Sequence, residues 1–207
     1  MGLINQIHRL LYKTNSLEHK TIMWRSKTTD TAVLESKVRD RKQTQTNTKF
    51  VFRKPAIKDG GNIYRLITQC PPLDVNSAYC NFLQATHFKE TCVVAEREGD
   101  VQGFISGYIR PEQPDTFFVW QVAVSPKARG EGLALSMIEA LMARKVSSNI
   151  RFIETTITED NAGSWALFKK VDRLYGTGGQ RSVFLDEQEH FNGEHDTEYL
   201  FRIPLKK

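Results

Sequence analysis

No run in the 207 residues approaches the roughly 18 to 20 consecutive apolar residues that cross a bilayer. The first 30 residues also lack an unbroken apolar stretch followed by a small-residue cleavage site, which predicts a cytoplasmic chain rather than a secreted or membrane-bound one. Cysteine is scarce. Cys70, Cys80 and Cys92 are odd in number and stand outside any CxxC or Cys/His ligand spacing, which argues against a disulfide framework and against a metal site. Neither the GxxxxGK[ST] of a P-loop nor the GxGxxG of a dinucleotide fold is present. The folded part lacks a charge of one sign as well. Residues 1–49 carry ten Lys and Arg against four Asp and Glu, leaving 19 bases and 20 acids for residues 50–207. The basic pI of about 9.1 therefore belongs to the N-terminal segment and gives the remainder no nucleic-acid signature.

What is present is enough apolar material for one sizeable core: 40% hydrophobic residues, with 12 Phe, 6 Tyr and 3 Trp. It is unevenly placed. Residues 26–49 are rich in Thr, Lys, Arg and Gln without apolar periodicity, so residues 1–49 read as a basic, disordered extension and residues 50–207 as the domain. Leu3, Ile7, Leu10 and Leu11 at helical spacing leave open a short basic amphipathic helix, and Met23 leaves open an internal start.

From residue 50 the pattern predicts a strand at 50–53, a helix at 62–70 capped by Asp59, and a second helix from Asp74 to about residue 87. Val75, Ala78, Tyr79, Phe82 and Leu83 would share one face of that second helix. A hairpin over 91–109 turns at Gly99-Asp100 and ends at Pro111 and Pro114. Residues 117–124 form a strand that is apolar apart from Gln121, as a strand buried on both faces would be. Further strands are expected at 152–157, 181–185 and 198–203, and a helix after Asp160-Asn161.

The most specific signal lies between that apolar strand and the helix after it: Ser125-Pro126-Lys127-Ala128-Arg129-Gly130-Glu131-Gly132-Leu133-Ala134. A glycine turn at a helix start leaves the first N–H groups unpaired and clears the side chains that would keep an anion away. It is suited to a phosphate, although RGEG alone also fits an ordinary exposed turn.

In this order of elements the chain resembles the GNAT acetyltransferase superfamily, whose acyl-CoA motif Q/R-x-x-G-x-G/A is matched by Arg129, Gly132 and Ala134. Phe52-Arg53-Lys54-Pro55, the run from Cys70 to Tyr79, Thr91 to Glu96, Val119 to Val124 and His195-Asp196-Thr197-Glu198 narrow the resemblance. They look like the L-2,4-diaminobutyrate acetyltransferase family of ectoine biosynthesis.

The resemblance implies an α/β (α+β) fold: a mixed, mostly antiparallel sheet of six or seven strands flanked by about four helices. It implies acetyl transfer from acetyl-CoA, without metal, to the 4-amino group of 2,4-diaminobutyrate in a cytoplasmic homodimer active under osmotic stress. CoA would be held by Val122, Ala123, Val124, Arg129, Gly130, Glu131, Gly132, Leu133, Ala134, Asn161, Ser164 and Phe168. The amine substrate would meet Asp74, Tyr79, Trp120, Glu154, His195 and Glu198, with Glu154, Trp120 and Glu198 as catalytic candidates.

An alkylammonium of pKa ~10.4 cannot attack until it loses its proton, and a carboxylate that binds it as a cation holds that proton more firmly. A base acting through water is therefore the more economical arrangement. Structural readings stand beside these roles: Asp74 as a helix cap, Glu154 as a solvent-facing strand residue, His195 and Glu198 as loop residues, Trp120 as core. Phe168 occupies the position where many superfamily members carry a proton-donating Tyr. A thiol of pKa ~8.5 is nonetheless a tolerable leaving group without strong acid help. Acetylation of another small diamine or a lysine side chain, non-catalytic acyl-CoA binding, and nucleic-acid binding through the basic segment remain as alternatives.

Overall fold

The apolar stretches beyond residue 50 assemble into one seven-stranded sheet in the computed structural model, which describes residues 49–206. The expectations for residues 1–48, disorder or a short amphipathic helix, lie outside the described residues. The elements run β1 (Val51–Arg53), α1 (Gly60–Thr68), α2 (Ala78–Thr86), β2 (Val93–Arg97), β3 (Asp100–Arg110), β4 (Gln113–Val124), α3 (Leu133–Met142), β5 (Phe152–Thr158), α4 (Ala162–Tyr175), β6 (Gln180–Leu185) and β7 (Glu198–Pro204). Their order across the sheet is β1-β2-β3-β4-β5-β7-β6, and every neighbouring pair is antiparallel except β4 with β5.

Helices cover both faces. On one, Met137, Ile138 and Leu141 of α3 and Phe168 and Val171 of α4 pack on Phe117, Ile153 and Ile203. On the other, Ile63, Leu66 and Ile67 of α1 pack on Val94, Phe104 and Ala123. Each fully buried side chain of this size contributes about 1.5 to 3 kcal/mol, so the two layers hold the sheet from both sides.

The structure departs from the sequence expectations in four places. Helix α1 starts at Gly60, and the Asp59 carboxylate makes no cap bond to it; instead it accepts from Ala56 N at 2.7 Å and pairs with Arg53. Helix α2 starts at Ala78, not Asp74, because Ser77 Oγ is the cap, accepting from Cys80 N, while residues 74–77 form no regular secondary structure. Its buried face is Asn81, Gln84 and Ala85; Val75, Tyr79 and Phe82 are exposed. Asn81 Nδ2 donates to Gln84 Oε1 there, while Asn81 Oδ1 and Gln84 Nε2 are buried without a protein partner among the described residues.

Pro114 does not end β3 but lies inside β4. The β3–β4 register slips between Ile109↔Phe117 and Arg110↔Gln113, so its missing N–H falls in an irregular stretch. A second slip, between Ser106↔Gln121 and Gly107↔Val119, makes Trp120 the extra residue of a bulge, and its side chain is 49% exposed rather than core.

Candidate active site

The parallel pairing of β4 with β5 runs from Thr116↔Phe152 to Val119↔Thr155 and stops. Beyond it the two strands part, and β4 continues through Val124 with no partner on that side. Two cavities open at this fork. The larger, about 800 Å³, lies between the start of α3 and the start of α4; the smaller, about 430 Å³, lies between Trp120 and the segment preceding β7.

The larger cleft is built by the glycine turn. Gly130 and Gly132 have φ of +83° and +76°, a conformation that L side chains rarely adopt, and a side chain added at either would meet nothing within 4 Å. Both conditions for an approaching anion are met. Gly132 is the N-cap of α3, and the backward bond from Ser136 N to Gly132 O leaves the N–H groups of Leu133, Ala134 and Leu135 without helical partners. Val122, Val124, Arg129, Asn161 and Ser164 line the same cleft. Asn161 caps α4, its Oδ1 accepting from Ser164 N at 3.0 Å. The side chains of Ala123 and Glu131 do not reach the cleft, because Ala123 is buried against the α1 layer and Glu131 pairs with Arg97 at 2.8 Å. Phe168, 2% exposed, lines the smaller cavity and has no proton to give.

The smaller cavity is acidic. Asp74, Asp160, Glu194, Asp196 and Glu198 line it without a single Lys or Arg, and Trp120 forms one wall. His195 is the one lining group that can carry a positive charge. Its Nδ1–H donates to the Asp196 carbonyl at 2.8 Å, which leaves Nε2 facing Asp74 Oδ2 at 3.7 Å. That backbone bond first, and then the surrounding carboxylates, raise its pKa. Glu198 stands at the first position of β7, opposite Thr158. Burial pushes its carboxyl above the ordinary range, against a Thr156 hydrogen bond and His195, and Asp74 and Asp196 push it further up. Its Oε2 is buried with no protein partner.

Two predicted substrate residues are elsewhere. Glu154 is 1% exposed and held by Arg110, at 2.8 Å, and by Arg202; it does not line the cavity. Its place on β5, the strand after the glycine-turn helix, makes Glu154 a candidate but also puts it within reach of Arg110 of β3 and Arg202 of β7, which take it. Tyr79 is 72% exposed on α2 and lines neither cavity. Sequence reasoning passed over Asn76, Gln121, Thr156 and Glu194, which line the cavity. For Gln121 the signal was there, as the one polar residue in an apolar strand. Among the described residues no cluster of three or more His, Cys, Asp or Glu is arranged to hold a metal, and no helix is long and apolar enough to cross a membrane.

The sequence profile of the Acetyltransferase (GNAT) family matches residues 62–172. The L-2,4-diaminobutyric acid acetyltransferase of Vibrio parahaemolyticus is 59% identical over 158 residues, which is 76% of this chain and 87% of that one. The protein of the same name from Halomonas elongata is 50% identical over 154 residues, 73% and 79% of the two chains. Among solved structures, the diaminobutyrate acetyltransferase of Paenibacillus lautus, in complex with its substrate L-2,4-diaminobutyric acid and coenzyme A, superposes with a TM-score of 0.73. It is 38% identical, over 76% of this chain and 96% of that one.

Proposed function

The chain belongs to the GNAT acetyltransferase family and, within it, to the L-2,4-diaminobutyric acid acetyltransferases, and from that premise we propose how its two cavities divide the reaction. The enzyme transfers acetyl from acetyl-CoA to the 4-amino group of L-2,4-diaminobutyrate, giving N4-acetyl-L-2,4-diaminobutyrate for ring closure to ectoine. The observation that carries the division is the meeting, at one strand fork, of an anion-ready glycine turn with an acidic cavity free of Lys and Arg.

Acetyl-CoA supplies the acetyl group and a thiolate leaving group. The free N–H groups at the start of α3, with Arg129, hold its pyrophosphate; the unpaired edge of β4 near Val122 takes the pantetheine arm and offers a donor to the thioester oxygen. The amine substrate carries two ammonium groups and one carboxylate, so its net charge of about +1 matches the acidic lining. Asp74 and His195 side by side complement an ammonium and a carboxylate side by side, which is the head group of an α-amino acid. With that end fixed, the 4-amine alone is free to reach the thioester, past Trp120. Glu198 takes its proton, directly or through water, and its raised pKa makes it a better base than an ordinary carboxylate.

The catalytic unit in this reading is residues 50–207, with residues 1–49 a basic extension outside the transfer machinery. The enzyme works in the cytoplasm under osmotic stress as a homodimer, which the exposed Tyr79 and Phe82, three residues apart on α2, support. It engages neither nucleic acid nor membrane. The test is an acetyl-transfer assay with diaminobutyrate, ornithine, lysine, putrescine and a lysine peptide, products read by NMR. One product, acetylated at the 4-nitrogen, is expected. Preferred turnover of another amine, or a mixture of 2- and 4-acetylated products, overturns the reading.

A further inference from the structure

Between α1 and α2 the chain crosses the mouth of both cavities with no regular secondary structure. Pro72 and Leu73 line the two clefts together, and Asp74 and Asn76 line the acceptor cavity alone. Such a segment is a poor platform for a charged side chain unless something fixes it, because an untethered backbone loses on ordering what the contact gains. It is tethered to β4 at two points. At its start, Cys70 Sγ lies 3.3 Å from the Val124 carbonyl, and Leu73 N donates to Cys70 O. At its far end, both halves of one side-chain amide are used: Gln121 Nε2 donates to the Asp74 carbonyl at 2.8 Å, and Gln121 Oε1 accepts from Asn76 Nδ2 at 3.1 Å.

Gln121 is 6% exposed and follows the Trp120 bulge directly. A buried primary amide is tolerated where its donor and acceptor are both answered, and here residues 74 and 76 of the loop answer them. We propose that Gln121 is a positioning residue: its amide clamps residues 74–76 against β4 and so sets where the Asp74 carboxylate stands over the acceptor cavity. Asp74 itself is otherwise loosely held: its side chain is 79% exposed and its one ion pair among the described residues is with His195. The bulge and the clamp are adjacent: the outward-turned Trp120 is followed directly by Gln121, which holds the loop.

The proposal rests on the acceptor-cavity reading, and its test separates the two. Amide hydrogen exchange of residues 73–77 needs no substrate. Gln121→Met, close to isosteric but without amide chemistry, is expected to exchange faster than the wild type at Leu73, whose N–H is bonded to the Cys70 carbonyl, while α1 and β4 stay protected; equal exchange there overturns the clamp. In steady-state kinetics Gln121→Met should raise KM for diaminobutyrate about 10-fold or more, with KM for acetyl-CoA within about 2-fold. Asn76→Ala, which leaves the Asp74 bond intact, should show a smaller change of the same kind. The double variant should be no worse than Gln121→Met alone, because the two residues act through one clamp. Multiplying losses would mean separate contacts with substrate and would overturn the proposal. Gln121→Glu supplies a signature that simple destabilisation does not: its carboxylate faces the Asp74 carbonyl, but its protonated form can donate to it, so its defect relative to wild type should shrink as pH falls. A wild type that ignores diaminobutyrate would end the acceptor reading and leave the exchange result to judge the clamp.

Discussion

Glu154 and Glu198 are both largely withdrawn from solvent, one on β5 and the other on the neighbouring β7, and they have opposite surroundings. Glu154 lies between the guanidinium groups of Arg110 and Arg202, with Gln113 Oε1 accepting from both arginines. Glu198 has one oxygen without a protein partner and other carboxylates for company. A carboxylate answered by two arginines is committed to the fold, here tying β3, β5 and β7 together. One left among its own kind is destabilising for the fold and available to a cation. The Arg53–Asp59–Glu96 network beside β1 likewise commits its carboxylates to the fold, with one guanidinium shared by two of them, whereas Asp74 joins Glu198 around the acceptor cavity.

The largest expected effect is that of Glu198→Gln. Removing a general base should lower kcat for diaminobutyrate by about 10²- to 10⁴-fold, with acetyl-CoA affinity by calorimetry unchanged. Equal losses for both substrates would place Glu198 with the structural carboxylates.

Glu154→Gln should do the reverse. Leaving the two partly exposed arginines without their buried anion is expected to cost about 2 kcal/mol, read as a fall in Tm of roughly 4 to 8 °C, with kcat/KM per folded molecule little altered. A catalytic collapse in a stable Glu154→Gln protein would erase the distinction.

Asp74→Asn should be milder, because the side chain is exposed. KM for diaminobutyrate should rise about 10-fold, roughly 1.4 kcal/mol, with kcat nearly kept.

The smallest effects are on stability against pH. Arg53 holds the Asp59 carboxyl below the ordinary aspartate range, so its pairing adds stability above an unfolded pKa of ~3.9, and that contribution is lost as pH falls through the lower folded value. The Tm advantage of wild type over Asp59→Asn should therefore narrow on acidification below about pH 4. Glu198 has the opposite sign: its folded pKa is raised, ionisation disfavours the fold above that value, and Glu198→Gln should melt slightly higher than wild type at neutral pH.

Much of this was legible beforehand. The glycine turn, the apolar β4 and the amphipathic α3 are local patterns, and the fold follows from their order. Asp74, His195 and Glu198, which the family resemblance singles out, line one cavity. Two of the misplacements share a cause. Glu154 and the segment before α2 depend on partners distant in sequence: Arg202 lies 48 residues beyond Glu154, and Gln121 lies 47 beyond Asp74, whereas Asp59 is taken by the nearby Arg53 guanidinium and Ala56 N–H. Local propensity makes Asp74 a cap, but the long-range amide of Gln121 takes the Asp74 carbonyl and the cap is Ser77. A bulge such as the one at Trp120 has no signature in a single sequence, yet it shifts every later residue of β4 to the opposite face.

The most direct test is the pH dependence of kcat/KM for diaminobutyrate in the wild type, Glu198→Gln and Glu154→Gln. Wild type and Glu154→Gln should share an acid limb whose midpoint lies above the ordinary carboxylate range, and Glu198→Gln should lack that limb, keeping the slopes set by the amine and by His195. The same limb in Glu198→Gln, or its loss in Glu154→Gln, would contradict the assignment of the base.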